Sequence, residues 1–361
     1  MTVTSTGEQV GWLLSDELPE RVLPSSLYDS AGWLANWNRN TIEKRTRSAF
    51  VSVGDGTGAG NGATVLPVYE LLSSPFWDGY EIQCELVGRF GGPIVFAGSP
   101  YSMYSRRGHV PAGLVRGAHS TAMDWIADGP ADVLVVPNLT AEGVEDWSAA
   151  AGPPIGTVLL ERTYSCAVSG AVEDHLVDRI PRKIKRDVDR RLRRSEERGL
   201  RVRMVEGAEA HGLVEHAYPL TVDTSDKNDW PALFTEDALH AMLRVPGAMM
   251  LVAETDERLI GAFFAFRHGT EVTYMCGGVD YSTLNELSTY VALMSGGTAW
   301  AYENGMERIE WGRDNYRFKE RHGLTPTDLW ALVYAPEPRP DLAEALRGMH
   351  DVLSAYIEGT G

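Results

Sequence analysis

Three short apolar runs followed by one long helical pattern constrain the fold of this chain more than any other feature of its sequence. Turn residues at 255–258 and 268–269 separate the runs, and this arrangement predicts an antiparallel meander. From about Asn285 the apolar residues recur every three or four positions, which predicts a helix that ends near Gly305. The three predicted strands are Met249–Glu254, Leu259–Arg267 and Glu271–Gly278.

The rest of the sequence also alternates strand-like and helix-like segments, and the first half ends near residue 165. Such alternation predicts an α/β fold, and the length of 361 residues suits two domains, at 1–165 and 166–361. After the long helix, the predicted elements are a strand at Arg308–Trp311, a charged loop to Gly323, a strand at Asp328–Tyr334 and a helix after Pro340.

The cysteine pattern and the hydropathy exclude several classes of protein. Cys84, Cys166 and Cys276 lie far apart, so the sequence offers neither a disulfide framework nor a zinc site of the Cys-x-x-Cys type. The N-terminus lacks a signal-peptide pattern, and no apolar run approaches the roughly 18–20 residues that span a bilayer. We therefore expect a cytoplasmic protein with no metal site and no membrane span. The sequence carries no indication of the oligomeric state.

The charge of the chain is very unevenly distributed. Fifty acidic and 33 basic side chains give a formal net charge of −17, which by itself disfavours a nucleic-acid partner. However, the 25 residues from Arg179 to Arg203 contain twelve basic and four acidic side chains, so this segment carries +8 and the rest of the chain −25. A polyanion is therefore expected to dock only along this segment.

The basic segment has the period of an amphipathic helix. Arginines and apolar residues each recur every four positions on opposite faces, while Pro181 suits the first turn and Gly199 a C-terminal cap. Two interpretations remain open: a solvated surface helix, or a ridge that binds a polyphosphate or an RNA backbone. The candidate phosphate-binding or tRNA-binding residues are Arg182, Arg186, Arg190 and Arg194.

The order of meander, long helix, strand, loop and strand resembles the catalytic half of GNAT-superfamily proteins. The passage from Trp311 to Gly323, WGRDNYRFKERHG, is similar to the strand followed by FK-xx-(aromatic)-G of the FemABX-like peptidyltransferases. The basic residues 182–186, RKIKR, also resemble theirs and those of BioF-type acyltransferase domains. In the first half, Ser26–Trp33 is similar to the opening of the family, and the main resemblance covers residues 160–335.

The resemblance implies both a fold and an activity. The fold would be two tandem GNAT-like domains, each with a mixed, mostly antiparallel central sheet flanked by helices. The activity would be that of an aminoacyltransferase, which moves an amino acid from aminoacyl-tRNA to an amine and so forms an amide bond. The acceptor would be a small molecule, as in antibiotic and other natural-product biosynthesis, or a cell-wall precursor. No cofactor is expected beyond the aminoacyl-tRNA co-substrate.

The candidate site lies in the charged loop. The resemblance places Lys319 at the reacting ester and Phe318 beside it. Acyl transfer passes through a tetrahedral oxyanion, and the ammonium group of Lys319 is the candidate that stabilises it. Asp314 is the candidate base for the attacking amine, with a helix cap or an ion pair as its alternative role. The other candidate substrate-binding residues are Arg313, Tyr316, Arg317 and Tyr274, of which Tyr274 also suits the core.

Two other functions remain open. An acyl-CoA-dependent N-acyltransferase would take a CoA thioester as donor. Acetyl-CoA enzymes of this superfamily carry a Q/R-x-x-G-x-G/A turn after their longest strand, whereas residues 276–282 read CGGVDYS, which disfavours this donor. The sequence contains no HExxH, GxSxG or HxxxD motif, and its nine histidines are scattered, with His322 in the candidate loop. The third hypothesis is a non-enzymatic module that binds RNA or another anion.

Overall fold

The computed structural model describes residues 11–39, 42–54, 62–90, 92–177, 179–228, 230 and 233–359. The chain divides into two compact units, one formed by Met1–Arg162 with Asp328–Gly361 and the other by Thr163–Thr327. The first boundary lies close to the predicted one at residue 165. The C-terminal strand and helix, however, belong to the first unit and not to the predicted domain 166–361, because residues 330–334 pair with residues 134–139.

The first unit is built on a mostly antiparallel sheet. Its strand order is β1-β2-β3-β4-β5-β12-β6, and only β4 and β5 among its registered pairs run parallel. Apolar residues of these strands pack against α3 and α4 to form the core. The elements are β1 (Leu13–Ser15), α1 (Ala31–Arg39), β2 (Lys44–Gly54), β3 (Ala63–Ser73), α2 (Pro75–Gln83), β4 (Ile94–Ala97), α3 (Ala112–Asp128), β5 (Leu134–Leu139), α4 (Ala141–Ala151), β6 (Gly156–Ala167), β12 (Thr325–Tyr334) and α12 (Pro340–Gly359).

The second unit is also built on a mixed sheet, with the strand order β6-β11-β10-β9-β8-β7. The pairs from β7 to β10 are antiparallel, so the predicted meander is confirmed, and β10 runs parallel to β11. The remaining elements are α5 (Arg182–Glu197), β7 (Arg201–Glu206), α6 (Gly207–Gly212), α7 (Val214–Lys227), α8 (Glu236–Met242), β8 (Ala248–Glu254), β9 (Leu259–His268), β10 (Glu271–Val279), α9 (Leu284–Leu287), α10 (Thr289–Glu303), β11 (Arg308–Gly312) and α11 (Tyr316–Arg321).

Three segments differ from the sequence prediction. Helix α7 continues to Lys227, although the polar residues 223–230 predict a loop. The predicted charged loop contains the short helix α11. The long predicted helix is divided into α9 and α10 at Ser288, which has a left-handed φ of 47°. Within the described part of the chain, no helix combines the length and the apolarity that crossing a membrane requires.

Candidate active site

Helix α5 has well-defined ends that follow from its sequence. Pro181 precedes the first turn, and Gly199 follows the last with a positive φ of 80°. The amide of Gly199 bonds to the carbonyl of Glu196 at 2.9 Å, and the amide of Leu200 bonds to that of Ser195 at 3.0 Å. These two bonds form a Schellman motif, with Leu200 buried beyond the cap. The amphipathic helix predicted from the sequence is therefore present.

Helix α5 carries basic side chains of two kinds. Asp187 forms ion pairs with Arg190 and, at 2.7 Å, with Arg191, while Lys185 pairs with Asp189 at 3.0 Å. A second group is exposed and has no acidic partner within ion-pair distance among the residues that the structure describes. This group, the unpaired cations, consists of Arg182, Lys183, Arg186, Arg193 and Arg194.

The inner face of α5 lines a cavity of about 340 Å³. Side chains of α10, β11 and α11 and of residues 172–176 form most of the remaining lining. The walls are largely apolar, with a smaller number of ionisable groups, as is usual in sites for small ligands. The apolar residues include Val188, Leu192, Val291, Met294, Trp311 and Phe318, and the ionisable ones are Glu173, His175, Lys185, Asp189 and His322.

A row of aromatic rings connects this cavity to the loop before α11. The ring of Phe318 stacks on that of His322 at a centroid distance of 3.8 Å and meets the ring of Tyr290 edge-on at 5.0 Å. Tyr290 in turn hydrogen-bonds to the side chain of Asn315, and burial raises the pKa of its hydroxyl. The predicted binding residue Phe318 therefore lies at the centre of a continuous wall.

Lys319 is almost completely buried, with 1% relative exposure. Its Nζ donates to the carbonyl oxygen of Gly312 at 3.0 Å and to that of Arg313. The same atom lies 5.7 Å from the centroid of the Tyr164 ring. A positive charge is thus fixed at the carboxyl end of β11, next to the described wall but outside the lining of the 340 Å³ cavity.

Asp314 belongs to the short link between β11 and α11. Asp314 and Asn315 both adopt left-handed backbone conformations, with φ of 61° and 53°. Asp and Asn tolerate this region better than other non-glycine residues, and strained backbone is common at functional sites. The residue is exposed, yet surrounding protein desolvates the carboxyl group and raises its pKa, an effect that the charges of Lys319 and Arg313 oppose. Lys319 and Arg313 are thus the positive charges that act on this carboxyl group.

The parallel strands β10 and β11 separate at the same end of the sheet. Their pairing covers only residues 271–273 with 308–310, and β10 has a bulge between Tyr274 and Cys276. Beyond Thr273, the β11-facing edge of β10 has no strand neighbour in the described chain, and residues 275–277 are partly exposed. Unpaired backbone groups at this opening are available to an extended substrate.

The other predicted substrate-binding residues lie at different depths. Tyr274 is 3% exposed, stacks on Trp311 at 4.3 Å and donates to the carbonyl of Gly297 at 3.0 Å. Tyr316 is buried against Tyr164, with ring centroids 6.1 Å apart. Of the two arginines predicted with them, Arg317 is exposed and Arg313 is partly exposed. Tyr274 and Tyr316 are therefore buried packing residues of the site, whereas the two arginines are accessible to a ligand.

Sequence reasoning missed several residues of this site. Trp311, Met294 and Tyr290 resembled ordinary core positions, and His322 resembled one scattered histidine among nine. The pair Gly296 and Gly297 was the available signal, because glycines inside a helix indicate a close approach. A Cβ on Gly297 would lie 2.6 Å from the Tyr274 hydroxyl and 2.9 Å from the Trp311 ring, so the glycine allows α10 to pack directly on the two stacked rings.

Comparison with known proteins identifies the type of fold. Residues 182–320 match the family of acetyltransferase (GNAT) domains. No curated protein matches the chain. Among solved structures, FemX aligns with a TM-score of 0.55 and 9% identity over 85% of this chain and 92% of its own.

Two further structures align over most of the chain. The C-terminal domain of a putative lysylphosphatidylglycerol synthetase from Agrobacterium fabrum has a TM-score of 0.55 and 13% identity, and the alignment covers 92% of this chain and 94% of that domain. A conserved protein of unknown function from Bacteroides thetaiotaomicron VPI-5482 has a TM-score of 0.51 and 10% identity, with coverages of 87% and 92%.

At these identities the structural matches establish the fold, and the family match identifies the domain that carries the candidate site. The expected α/β architecture with GNAT-like domains in tandem is confirmed, as is the resemblance to FemABX-like proteins at the level of fold. Residues 182–320 match the model of the GNAT acetyltransferase domain, and the chain shares its fold with FemX.

Proposed function

We propose that the protein transfers an aminoacyl group from aminoacyl-tRNA to an amine and so forms an amide bond. One observation carries this proposal: α5 lines the 340 Å³ cavity with its inner face and presents the unpaired cations on its outer face. A donor that combines a polyanionic body with a small acyl end would contact both faces of the same helix. Aminoacyl-tRNA has this construction.

The charge distribution supports docking along α5. Exposed cations that lack acidic partners can exchange their counterions for phosphates without first breaking an ion pair. The remainder of the chain carries −25 and would repel RNA elsewhere. Helix α5 spans about 24 Å, so the ridge is long enough to meet several phosphates of one strand.

The candidate loop supports the chemical step. Attack of an amine on the ester carbonyl creates an oxyanion, which a fixed cation in a poorly hydrated place stabilises well. The buried ammonium group of Lys319 provides such a charge at the end of β11. The aminoacyl group would enter the 340 Å³ cavity, where Phe318 forms part of the wall. The acceptor would be the amine of a small molecule or of a cell-wall precursor, as the FemABX resemblance implies.

An acyl-CoA donor is the second candidate, because acyl transfer by a GNAT domain is chemically compatible with a thioester. The glycines after Cys276 argue against a pyrophosphate loop of the usual type. A Cβ on Gly277 would lie 2.2 Å from the carbonyl of Ala262, and one on Gly278 would lie 2.0 Å from that of Leu220. These glycines therefore allow β10 to pack closely against β9 and α7.

Donor dependence tests the proposal. The protein is incubated with a mixture of charged tRNAs and candidate amines, and the products are identified by mass spectrometry. We expect amide products that disappear after treatment with RNase. Activity that persists with acyl-CoA and ignores RNase would replace this proposal with the second one. Binding of tRNA without turnover of either donor would favour a non-enzymatic RNA-binding module.

A double charge reversal gives an independent test. Arg186→Glu with Arg194→Glu should strongly reduce turnover that depends on tRNA, because both side chains are exposed and lack acidic partners in the described chain. The matched control is Arg89→Glu with Arg347→Glu, which reverses two exposed basic side chains outside the segment 179–203. Equal loss of activity in both variants would indicate a general charge effect and not a specific ridge.

A further inference from the structure

Two imidazole groups line the cavity, and they differ in the availability of their ring nitrogens. In His175, Nδ1 lies 2.9 Å from the hydroxyl of Tyr302, and Nε2 lies 4.0 Å from the thiol of Cys166. Both nitrogens are therefore engaged within the protein. Burial raises the pKa of the Cys166 thiol to about 11, which leaves it protonated and unsuited to act as a nucleophile with His175. This pair is a structural contact.

His322 is arranged differently. Its Nδ1 lies 2.6 Å from the backbone carbonyl oxygen of Phe318, four residues earlier. A carbonyl oxygen only accepts hydrogen bonds, so the proton of the neutral ring is on Nδ1. Nε2 then carries a free lone pair, and it has no hydrogen-bond partner among the described residues. The stacked ring of Phe318 holds the imidazole plane in place.

We propose that Nε2 of His322 is the base that removes a proton from the ammonium group of the acceptor inside the cavity. This inference rests on the proposed acyl transfer and adds a catalytic residue and a class of acceptor to it. The acceptor is a primary amine that arrives as an ammonium ion. The carboxylate groups of Glu173 and Asp189 line the same cavity and attract such a cation.

The charges around His322 favour its neutral form. Burial lowers the pKa of the imidazole, the hydrogen bond to Phe318 opposes this effect, and the positive charges of Arg321 and Arg191 lower the pKa further. The carboxylate of Asp187 partly opposes these cations. The other ionisable groups that line the cavity are Glu173, His175, Lys185 and Asp189, of which the last two pair with each other.

The proposed step conserves atoms and charge. The ammonium group gives one proton to Nε2 of His322, and the resulting amine attacks the carbonyl carbon of the aminoacyl ester. A C–N bond forms, and the C–O bond to the tRNA breaks. The attacking nitrogen loses a second proton, which the departing 3′-oxygen takes up. The products are the amide, a free hydroxyl on the tRNA and an imidazolium ion, which returns its proton to water.

The variant His322→Asn separates the base from its structural contact. The amide NH₂ of Asn can replace Nδ1 as donor to Phe318, but Asn has no basic nitrogen in place of Nε2. We expect kcat/KM at pH 7 to fall about 10²- to 10⁴-fold, the usual contribution of a general base, with KM nearly unchanged. His216→Asn is the matched control, because His216 is exposed on α7, remote in sequence from the site loop.

The pH dependence of kcat/KM distinguishes a base from a residue that only supports the structure. In the unaltered protein, kcat/KM should rise with pH through an acidic limb whose midpoint lies below the ordinary histidine pKa of about 6.5. His322→Asn should lack this limb. A variant that keeps the limb, or that loses less than threefold in kcat/KM, would overturn the assignment of His322 as the base.

Nitrogen-15 NMR of the histidine rings gives a test that requires no acyl donor. The resonances of His322, assigned by comparison with His322→Asn, should show the Nδ1-protonated tautomer and a neutral ring at pH 7. A proton on Nε2 or a charged ring at pH 7 would overturn the inference even if the acyl transfer is found. Conversely, an absence of turnover with both donors would count against the proposed function, while the NMR result would still report on His322.

Discussion

Replacing Lys319 with methionine tests whether the buried ammonium group holds the end of β11 in place. Methionine keeps most of the apolar stem but removes the donor to the carbonyl groups of Gly312 and Arg313. Each buried acceptor left without a partner costs about 1–3 kcal/mol. Removing a buried charge offsets part of this cost. We expect the segment to lose about 2–4 kcal/mol of local stability.

Hydrogen exchange measured by mass spectrometry is a suitable assay, because it reads local opening without assuming that two compact units unfold in one step. A factor of ten in exchange corresponds to about 1.4 kcal/mol. Peptides that cover residues 308–323 should therefore exchange about 30- to 700-fold faster in Lys319→Met than in the unaltered protein. Peptides from the first unit should be unaffected.

Two variants control this measurement. Arg321→Met removes an exposed positive charge from the same short helix and should change exchange less than threefold. Lys319→Arg keeps a cationic donor, and its exchange rate should lie between those of Lys319→Met and Arg321→Met. If Lys319→Met exchanges at the unaltered rate, the ammonium group does not hold the loop, and its position in the site must be reconsidered. If activity is lost while exchange is unchanged, the oxyanion role is favoured over a positioning role.

Substitutions at four further positions test neighbouring parts of the site. Gly297→Ala should destabilise the second unit by about 1–3 kcal/mol in chemical denaturation, since its Cβ would lie 2.6 Å from the Tyr274 hydroxyl. An unchanged unfolding transition would show that α10 can shift to make room for the methyl group. Arg194→Gln should weaken tRNA binding and reduce the slope of log K against log salt concentration by about 0.7 to 0.9. Asp187→Asn frees Arg190 and Arg191 from their ion pairs and should strengthen binding. Asp314→Asn should leave stability nearly unchanged, whereas Asp314→Ala should lower it by about 1 kcal/mol, because alanine tolerates the left-handed backbone poorly. Equal stability of the two variants would contradict this explanation.

The parts of the fold that were predictable are those set by local patterns. The strands β8, β9 and β10 follow from alternation and turn residues, and the ends of α5 follow from Pro181 and Gly199. The parts that were not predictable depend on distant contacts. The short strand β4 is fully buried and lacks any alternation, while the pairing of β12 with β5 joins residues almost 200 positions apart. Helix α11 has only six residues, and its position follows from two left-handed residues that the sequence does not reveal.

The candidate site shows the same division. A motif-based resemblance was enough to select Phe318 and Lys319, because both belong to a short contiguous passage. The role proposed for His322 depends instead on which ring nitrogen meets a carbonyl group, and this information exists only after α11 has formed. The cavity likewise requires α5 and α10, which are separated by about 100 residues, to pack together. Sequence patterns could therefore identify the candidate loop, but they could not identify which atoms of the loop face a substrate.

The arrangement of cations on α5 also bears on the choice of donor. The regular series of arginines predicted from the sequence is interrupted, because Asp187 engages Arg190 and leaves unpaired cations near each end of the helix. Arg186 and Arg193 belong to these two groups and are separated by about 10 Å along the axis. A single pyrophosphate would contact only one group, whereas a polynucleotide strand would contact both. Since exposed ion pairs contribute little stability, Arg190 could also be recruited when RNA binds. The spacing therefore favours an extended polyanion over a nucleotide cofactor as the molecule that carries the acyl group.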